Sequence, residues 1–112
     1  MLDENIISKI KKEFKDHYKK TVEESTVYTA YIDDILVGCA CINKNNYLSN
    51  LFVSEKYQNQ GIGTKLLQEV LNDNKNNDIT GDANSKYVEF YKKNSFEVIG
   101  KGQYSVKMKK FR

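Results

Sequence analysis

Leu51-Phe52-Val53-Ser54-Glu55-Lys56-Tyr57-Gln58-Asn59-Gln60-Gly61-Ile62-Gly63-Thr64-Lys65-Leu66-Leu67 is the stretch that decides the fold. Its apolar start closes a strand predicted over 47–53. A loop follows over 54–60. Ile62, Leu66, Leu67, Val70 and Leu71 then recur at helical spacing, which predicts a helix over 61–73. The first turn of such a helix carries unpaired N–H groups and the positive end of the helix dipole. Glycines there remove side chains, so a phosphate can approach the backbone. Gln58-x-x-Gly61-x-Gly63 therefore suits a pyrophosphate, although two glycines before a helix also make a plain turn. Two other phosphate loops do not fit. The dinucleotide fingerprint needs a third glycine where Leu66 stands. The Walker loop needs Gly-Lys-Ser/Thr, and Gly63-Thr64-Lys65 reverses that order.

Working outward, Val27 to Ile32 is rich in β-branched and aromatic residues and predicts a strand. Asp33-Asp34 is a turn, and Ile35 to Ile42 is apolar on both faces, as in a central strand. Asn43 to Asn46 turns the chain into the strand at 47–53. Beyond the glycine loop, Asp78 to Asp82 reads as a strand and Ser85 to Lys93 as a helix. Phe96 to Ile99 and Tyr104 to Met108 form a terminal hairpin around Gly100-Lys101-Gly102. At the start, Ile6, Ile10, Phe14 and Tyr18 fall at steps of four with Ile7 beside them, which predicts an amphipathic helix over 3–19. The strand–helix–strand in the middle implies a parallel pair with a crossover. The expected fold is α/β: a mixed, mostly antiparallel sheet with helices on both faces.

The chain has 112 residues, which favours a single domain over 1–112. Its net charge of +3 is too mild to point to nucleic acid. No apolar run approaches the ~20 residues of a membrane helix. No signal-peptide pattern opens the chain, where Asp3 and Glu4 follow Met1-Leu2. Cys39 and Cys41, two apart on one strand, are badly placed for a mutual disulfide. A reducing, cytoplasmic setting follows. The same cysteines lack an activating His, so they read as core, not as nucleophiles. His17 sits alone on a charged stretch, and no Cys/His/Asp cluster has metal-ligand spacing, so no metal is expected.

Leu51 to Leu67 closely resembles motif A of the GNAT superfamily of N-acetyltransferases: a strand ending in Val, a spacer, then Gln/Arg-x-x-Gly-x-Gly/Ala and an apolar helix. Asn84-Ser85-Lys86-Tyr87-Val88-Glu89-Phe90-Tyr91-Lys92-Lys93-Asn94-Ser95-Phe96 is similar to motif B of the same superfamily. The hairpin at 32–38 also fits, and the resemblance spans about residues 27 to 108 in the family's order.

The resemblance implies an acetyltransferase that moves an acetyl group from acetyl-CoA to a primary amine of a small molecule or protein. The amine would attack directly, with no acyl-enzyme. It implies main-chain contacts from Leu51, Phe52 and Val53 to the pantetheine arm. The pyrophosphate would lie on the N–H groups of Gln58, Asn59, Gln60, Gly61, Ile62, Gly63 and Thr64. Asn84 matches a cofactor-binding position; a helix N-cap is an equal reading of it. Tyr91 matches the tyrosine that protonates the departing thiolate, which a phenol with a pKa of about 10 can do. Tyr91 also sits four residues after Tyr87 on a helix, a spacing that serves packing as well. Lys65, Lys92 and Lys93 are candidates for the 3′-phosphate, against the plain reading of exposed lysines.

Three departures qualify the match. Only one helix is expected before the hairpin, so a first strand and a helix of the family pattern look absent. That leaves the acceptor site open or completed by a second copy in a homodimer. Tyr47 stands where some members carry a Glu general base, leaving water or a neutral amine for that step. Ser95 replaces the usual Gly before Phe96, at a turn that asks for an unusual φ, and Asn94 tolerates such a φ and can compensate. The rival reading is a non-catalytic coenzyme A-binding module or subunit.

Overall fold

Two aspartates make the first turn among the described residues. Asp33 and Asp34 both adopt left-handed backbone, φ 49° and 67°. Consecutive positive φ values match the twist of a tight hairpin, and Asp tolerates them better than bulkier residues. They join β2 (Ser25–Ile32) to β3 (Ile35–Ile42), paired antiparallel. The computed structural model of the chain describes residues 25–112 and the backbone of 11–15.

Four more elements bear on the site. β4 (Tyr47–Val53) pairs antiparallel with β3. After a 3₁₀ turn at Glu55–Tyr57, helix α1 (Ile62–Asp73) crosses back to β5 (Ile79–Ala83), which lies parallel to β4. A second 3₁₀ turn (Ser85–Tyr87) leads into the short helix α2 (Val88–Lys93). β6 (Glu97–Lys101) and β7 (Val106–Lys110) close the chain as an antiparallel hairpin. β7 inserts beside β5, giving among the described residues, with β1 (Lys11–Lys15), a mixed seven-stranded sheet in the order β1-β2-β3-β4-β5-β7-β6.

The first of these strands corrects the sequence reading. Lys11–Lys15, inside the helix expected over 3–19, is strand β1, antiparallel to β2 with Phe14 opposite Thr26. Steps of four residues are even, so Ile6, Ile10, Phe14 and Tyr18 share a face in a strand as well as in a helix. Pairing with β2 decides between the two periods. The first strand that looked absent is therefore present. The rest of that expectation, and His17, lie outside the described residues. Other boundaries moved less: α2 begins at Val88, after the 3₁₀ turn, and Tyr104 falls outside β7 and is 86% exposed.

α1 carries the core. Leu66, Leu67 and Val70 have no exposed surface, and Ile62 is nearly as deep. They pack with Val37, Ala40, Ile42, Leu48, Ile79 and Met108 from the sheet. Burying each such side chain stabilises by about 1.5–3 kcal/mol. The far end of the helix is tied down as well: the buried Tyr28 hydroxyl donates to Asp73 Oδ2 at 2.8 Å. The N-terminus of α1 is thus a fixed point against which the loop before it is shaped.

Candidate active site

The site begins with a fault in the sheet. Cys41 pairs with Asn50 and Ile42 with Leu48, so Ser49 is an extra residue on β4. A bulge of this kind increases local twist and breaks pairing. β4 meets β5 at just two positions, Tyr47 with Thr80 and Leu48 with Gly81, and then the strands diverge. β5 itself goes on in register with β7 as far as Ala83. The gap between β4 and β5 opens into a cleft of about 740 Å³.

The backbone direction of β4 sorts the three residues expected to face that gap. In an antiparallel pair the main-chain groups of successive residues point to opposite edges. Phe52 lies opposite Cys39, and Ser54 N–H donates to Val37 C=O. The main chain of Phe52 therefore faces β3, and that of Leu51 and Val53 faces the gap. All three line the cleft. Phe52 is 56% exposed, with its main chain engaged by β3.

The loop after β4 is held by Gln58. Its Nε2 donates to Val53 C=O at 2.9 Å, and its backbone N–H donates to Glu55 C=O at 3.3 Å. Gln58 thus shapes the loop with its side chain and with the backbone N–H that the sequence reading had turned to a ligand. Two left-handed residues then bend the chain into the helix, Asn59 at φ 63° and Gly61 at φ 90°. Gly61 is the N-cap and offers no side-chain cap, and no acidic residue stands in the first turn. Ile62, Gly63 and Thr64 have N–H groups beyond the reach of intrahelical acceptors. The helix thus presents an uncapped positive end to the cleft. Asn59, Gly61, Ile62, Gly63 and Thr64 line it with Gln58; Gln60 does not.

The opposite wall comes from β5 and α2. Asn84 lines it and also accepts the Lys86 N–H at 3.1 Å, capping the 3₁₀ turn. The capping reading holds. Tyr91 lines the cleft, half-buried, edge-on to Phe90 and Phe96 at 5.3 and 5.4 Å. Burial, with a smaller contribution from Tyr47, pushes its phenol up to about 12. Lys93 is at the cleft, whereas Lys65 is not and Lys92 pairs with Glu89 at 3.6 Å. The sequence reading missed Lys86, Phe90 and Asp82, which also line it. Asp82 accepts a hydrogen bond from the Tyr47 hydroxyl at 2.6 Å.

Cys39 and Cys41 are thiols, half-buried on β3, and outside this cleft. A hydrogen bond from Cys41 lowers the Cys39 thiol to about 7. Among the described residues no helix is long and apolar enough to cross a membrane.

Comparison with known proteins settles which family builds a cleft in this way. The model of the acetyltransferase (GNAT) domain matches residues 3–110. The chain belongs to the GNAT family of acetyltransferases. A comparison with curated proteins finds no significant match. Solved GNAT structures share the fold. PaiA N-acetyltransferase from Thermoplasma acidophilum, in complex with coenzyme A, is 21% identical with a TM-score of 0.70. That match covers 80% of this chain, which spans 62% of the length of PaiA. Naa50 from Arabidopsis thaliana, in complex with the bisubstrate analogue CoA-Ac-MVNAL, is 26% identical over 77% of this chain and 72% of its own, with a TM-score of 0.68. A GCN5-related N-acetyltransferase from Rhodopseudomonas palustris is 18% identical over 87% and 79%, also at 0.68.

Proposed function

We propose that this GNAT domain transfers an acetyl group from acetyl-CoA to a primary amine by direct attack. The observation that carries the reading is the path of β4. It leaves β5 after two pairs and runs, through a loop held by Gln58, into the uncapped N-terminus of α1. A pantetheine arm needs an extended backbone edge, which the main chain of Leu51 and the N–H of Val53 offer, the Val53 C=O being already bonded to Gln58. A pyrophosphate needs clustered N–H donors without a competing carboxylate, which the first turn of α1 offers. Complexes of PaiA with coenzyme A and of Naa50 with a CoA-containing analogue support this assignment.

The thioester carbonyl would then lie deeper, toward Tyr91. The amine nitrogen attacks that carbon, the C–S bond breaks, and the thiolate needs a proton or a strong hydrogen bond. Tyr91 holds its proton through the physiological range and can supply either. A buried thiolate is also raised by desolvation, which narrows the difference between donor and acceptor.

Thermal shifts with acetyl-CoA, ATP and NAD, followed by free-thiol release in the presence of pooled amines, test the proposal. Stabilisation by acetyl-CoA above the other two, with amine-dependent thiol release, is the expected result. Stabilisation without turnover on any amine would leave a coenzyme A-binding module. No stabilisation would end both readings.

A further inference from the structure

The cleft contains one carboxylate that the donor substrate does not need. Asp82 stands on β5 one residue past the last β4–β5 pair, where the strands begin to diverge. The Tyr47 hydroxyl, from the neighbouring strand β4, donates to its Oδ2 at 2.6 Å. A carboxylate has about four acceptor positions, so this bond orients it without using it up. The side chain is exposed and lines the cleft. A carboxylate here would repel the phosphates of coenzyme A, and it lies at the end of the cleft away from the first turn of α1. The other charged residues at hand are Lys107, its cross-strand partner on β7, and Lys86 and Lys93 on the cleft wall.

The Tyr47–Asp82 pair is also close to the reacting end. Tyr47 is near enough to Tyr91 that ionising it would add to the rise of that phenol. The same carboxylate, by its hydrogen bond, raises the Tyr47 phenol and keeps it a donor.

We propose that Asp82, held by Tyr47, receives the acceptor as a primary ammonium ion and takes the proton that frees its lone pair. The inference rests on the acetyl-transfer reading and assigns its acceptor side. An alkylamine is charged at neutral pH and cannot attack until it loses a proton. That first proton passes from nitrogen to the Asp82 carboxylate. The nitrogen pair forms the C–N bond, the carbonyl pair moves to oxygen and returns, and the C–S pair leaves with sulfur. The new amide nitrogen gives its second proton to water, and the sulfur gains one from Tyr91, which is reprotonated by solvent. One proton is released per turnover. Tyr47 acts through Asp82 and is a positioning residue.

The experiment compares two acceptors, an alkylamine and an arylamine that is uncharged at neutral pH, in the wild type, Asp82→Asn and Tyr47→Phe. Asp82→Asn should lower kcat/KM for the alkylamine by roughly 100-fold, the lower range of general-base effects. Its loss on the arylamine should be within about 3-fold, because water can take a proton after the C–N bond forms. The thermal shift with acetyl-CoA should be kept. Tyr47→Phe should cost the alkylamine about 3- to 10-fold, mainly in KM, and spare the arylamine. Equal activity of Asp82→Asn on the alkylamine, or an equal loss on both amines, overturns the inference and leaves acetyl transfer standing. Loss of the acetyl-CoA shift in Asp82→Asn overturns it as well, since the carboxylate would then serve the donor site or the fold. No transfer to any amine by the wild type overturns both readings together.

Discussion

Gly38 on β3 touches the Phe52 carbonyl so closely that a Cβ at Gly38 would stand 2.9 Å from that oxygen. It would also stand 3.1 Å from Leu66 Cδ1, at the buried face of α1. The oxygen is main chain in a paired strand and cannot swing away. Gly38→Ala should therefore push β3 from β4 and lift α1, at a cost of about 1–3 kcal/mol typical of overpacking. Urea unfolding midpoints measure it. An unchanged or raised midpoint would show that strand and helix can separate freely here.

Gly61 adopts φ 90° at the N-cap of α1. A side chain at that φ costs about 1–2 kcal/mol. The only route to relief is to turn the peptide, which reorients the N–H groups of the first turn. Gly61→Ala should lose affinity for acetyl-CoA by more than its loss of stability explains. Calorimetric titration at a temperature where the variant is fully folded separates the two effects. Unchanged affinity would mean that this loop does not hold the phosphates.

Ser95 offers the reverse case. It sits at φ 69° between α2 and β6, where the family pattern has glycine. Asn94, which could have compensated by taking the unusual φ, stays at φ −100° and ties its Nδ2 to Phe90 C=O at 2.9 Å. The strain is on Ser95 alone. Ser95→Gly should stabilise by about 0.5–1 kcal/mol, the left-handed penalty less the extra chain entropy of glycine. Thermal melts test the sign, and a destabilised variant would show that the Ser95 side chain contributes more than its backbone costs.

Tyr91 carries the pH dependence. Burial raises its phenol to about 12, so the proton donor stays intact well beyond an ordinary tyrosine. The kcat profile should show no fall assignable to Tyr91 between pH 7 and 10, and Tyr91→Phe should reduce kcat by roughly 10- to 100-fold throughout that range. The stability effect has a definite sign. A neutral group whose pKa is higher in the folded state contributes stability below the unfolded value near 10 and loses it as pH rises toward about 12. Alkaline unfolding of Tyr91→Phe should lack that component. A variant as active as the wild type would remove Tyr91 from the reaction.

How much of this was legible in the sequence follows from where each signal resides. The strand into the glycine loop and α1 were readable because Val53, Gly61, Ile62 and Leu66 act through local backbone and periodicity. The left-handed demand before Phe96 was readable too, but not which residue would meet it, because Asn94 was free to use its side chain for a helix C-cap. β1 was not readable, since steps of four fit both periods until β2 supplies a partner. The direction of the Phe52 main chain was not readable, because the edge it faces is set by the β3 register, with Cys39 opposite. Asp82 was invisible for the same kind of reason. Its meeting with Tyr47, 35 residues away, depends on a parallel contact only two pairs long.

The central claim is that coenzyme A lies in the gap between β4 and β5 with its pyrophosphate on the first turn of α1. Titration of the ¹⁵N-labelled protein with acetyl-CoA, followed amide by amide, tests it most directly. The account predicts the largest shifts at Leu51, Val53, Gly61, Ile62, Gly63 and Thr64, with smaller ones at Phe52 and Gln58, whose N–H groups are turned into the protein. Shifts confined to the β6–β7 hairpin, or equal shifts at Phe52 and its neighbours, would contradict it.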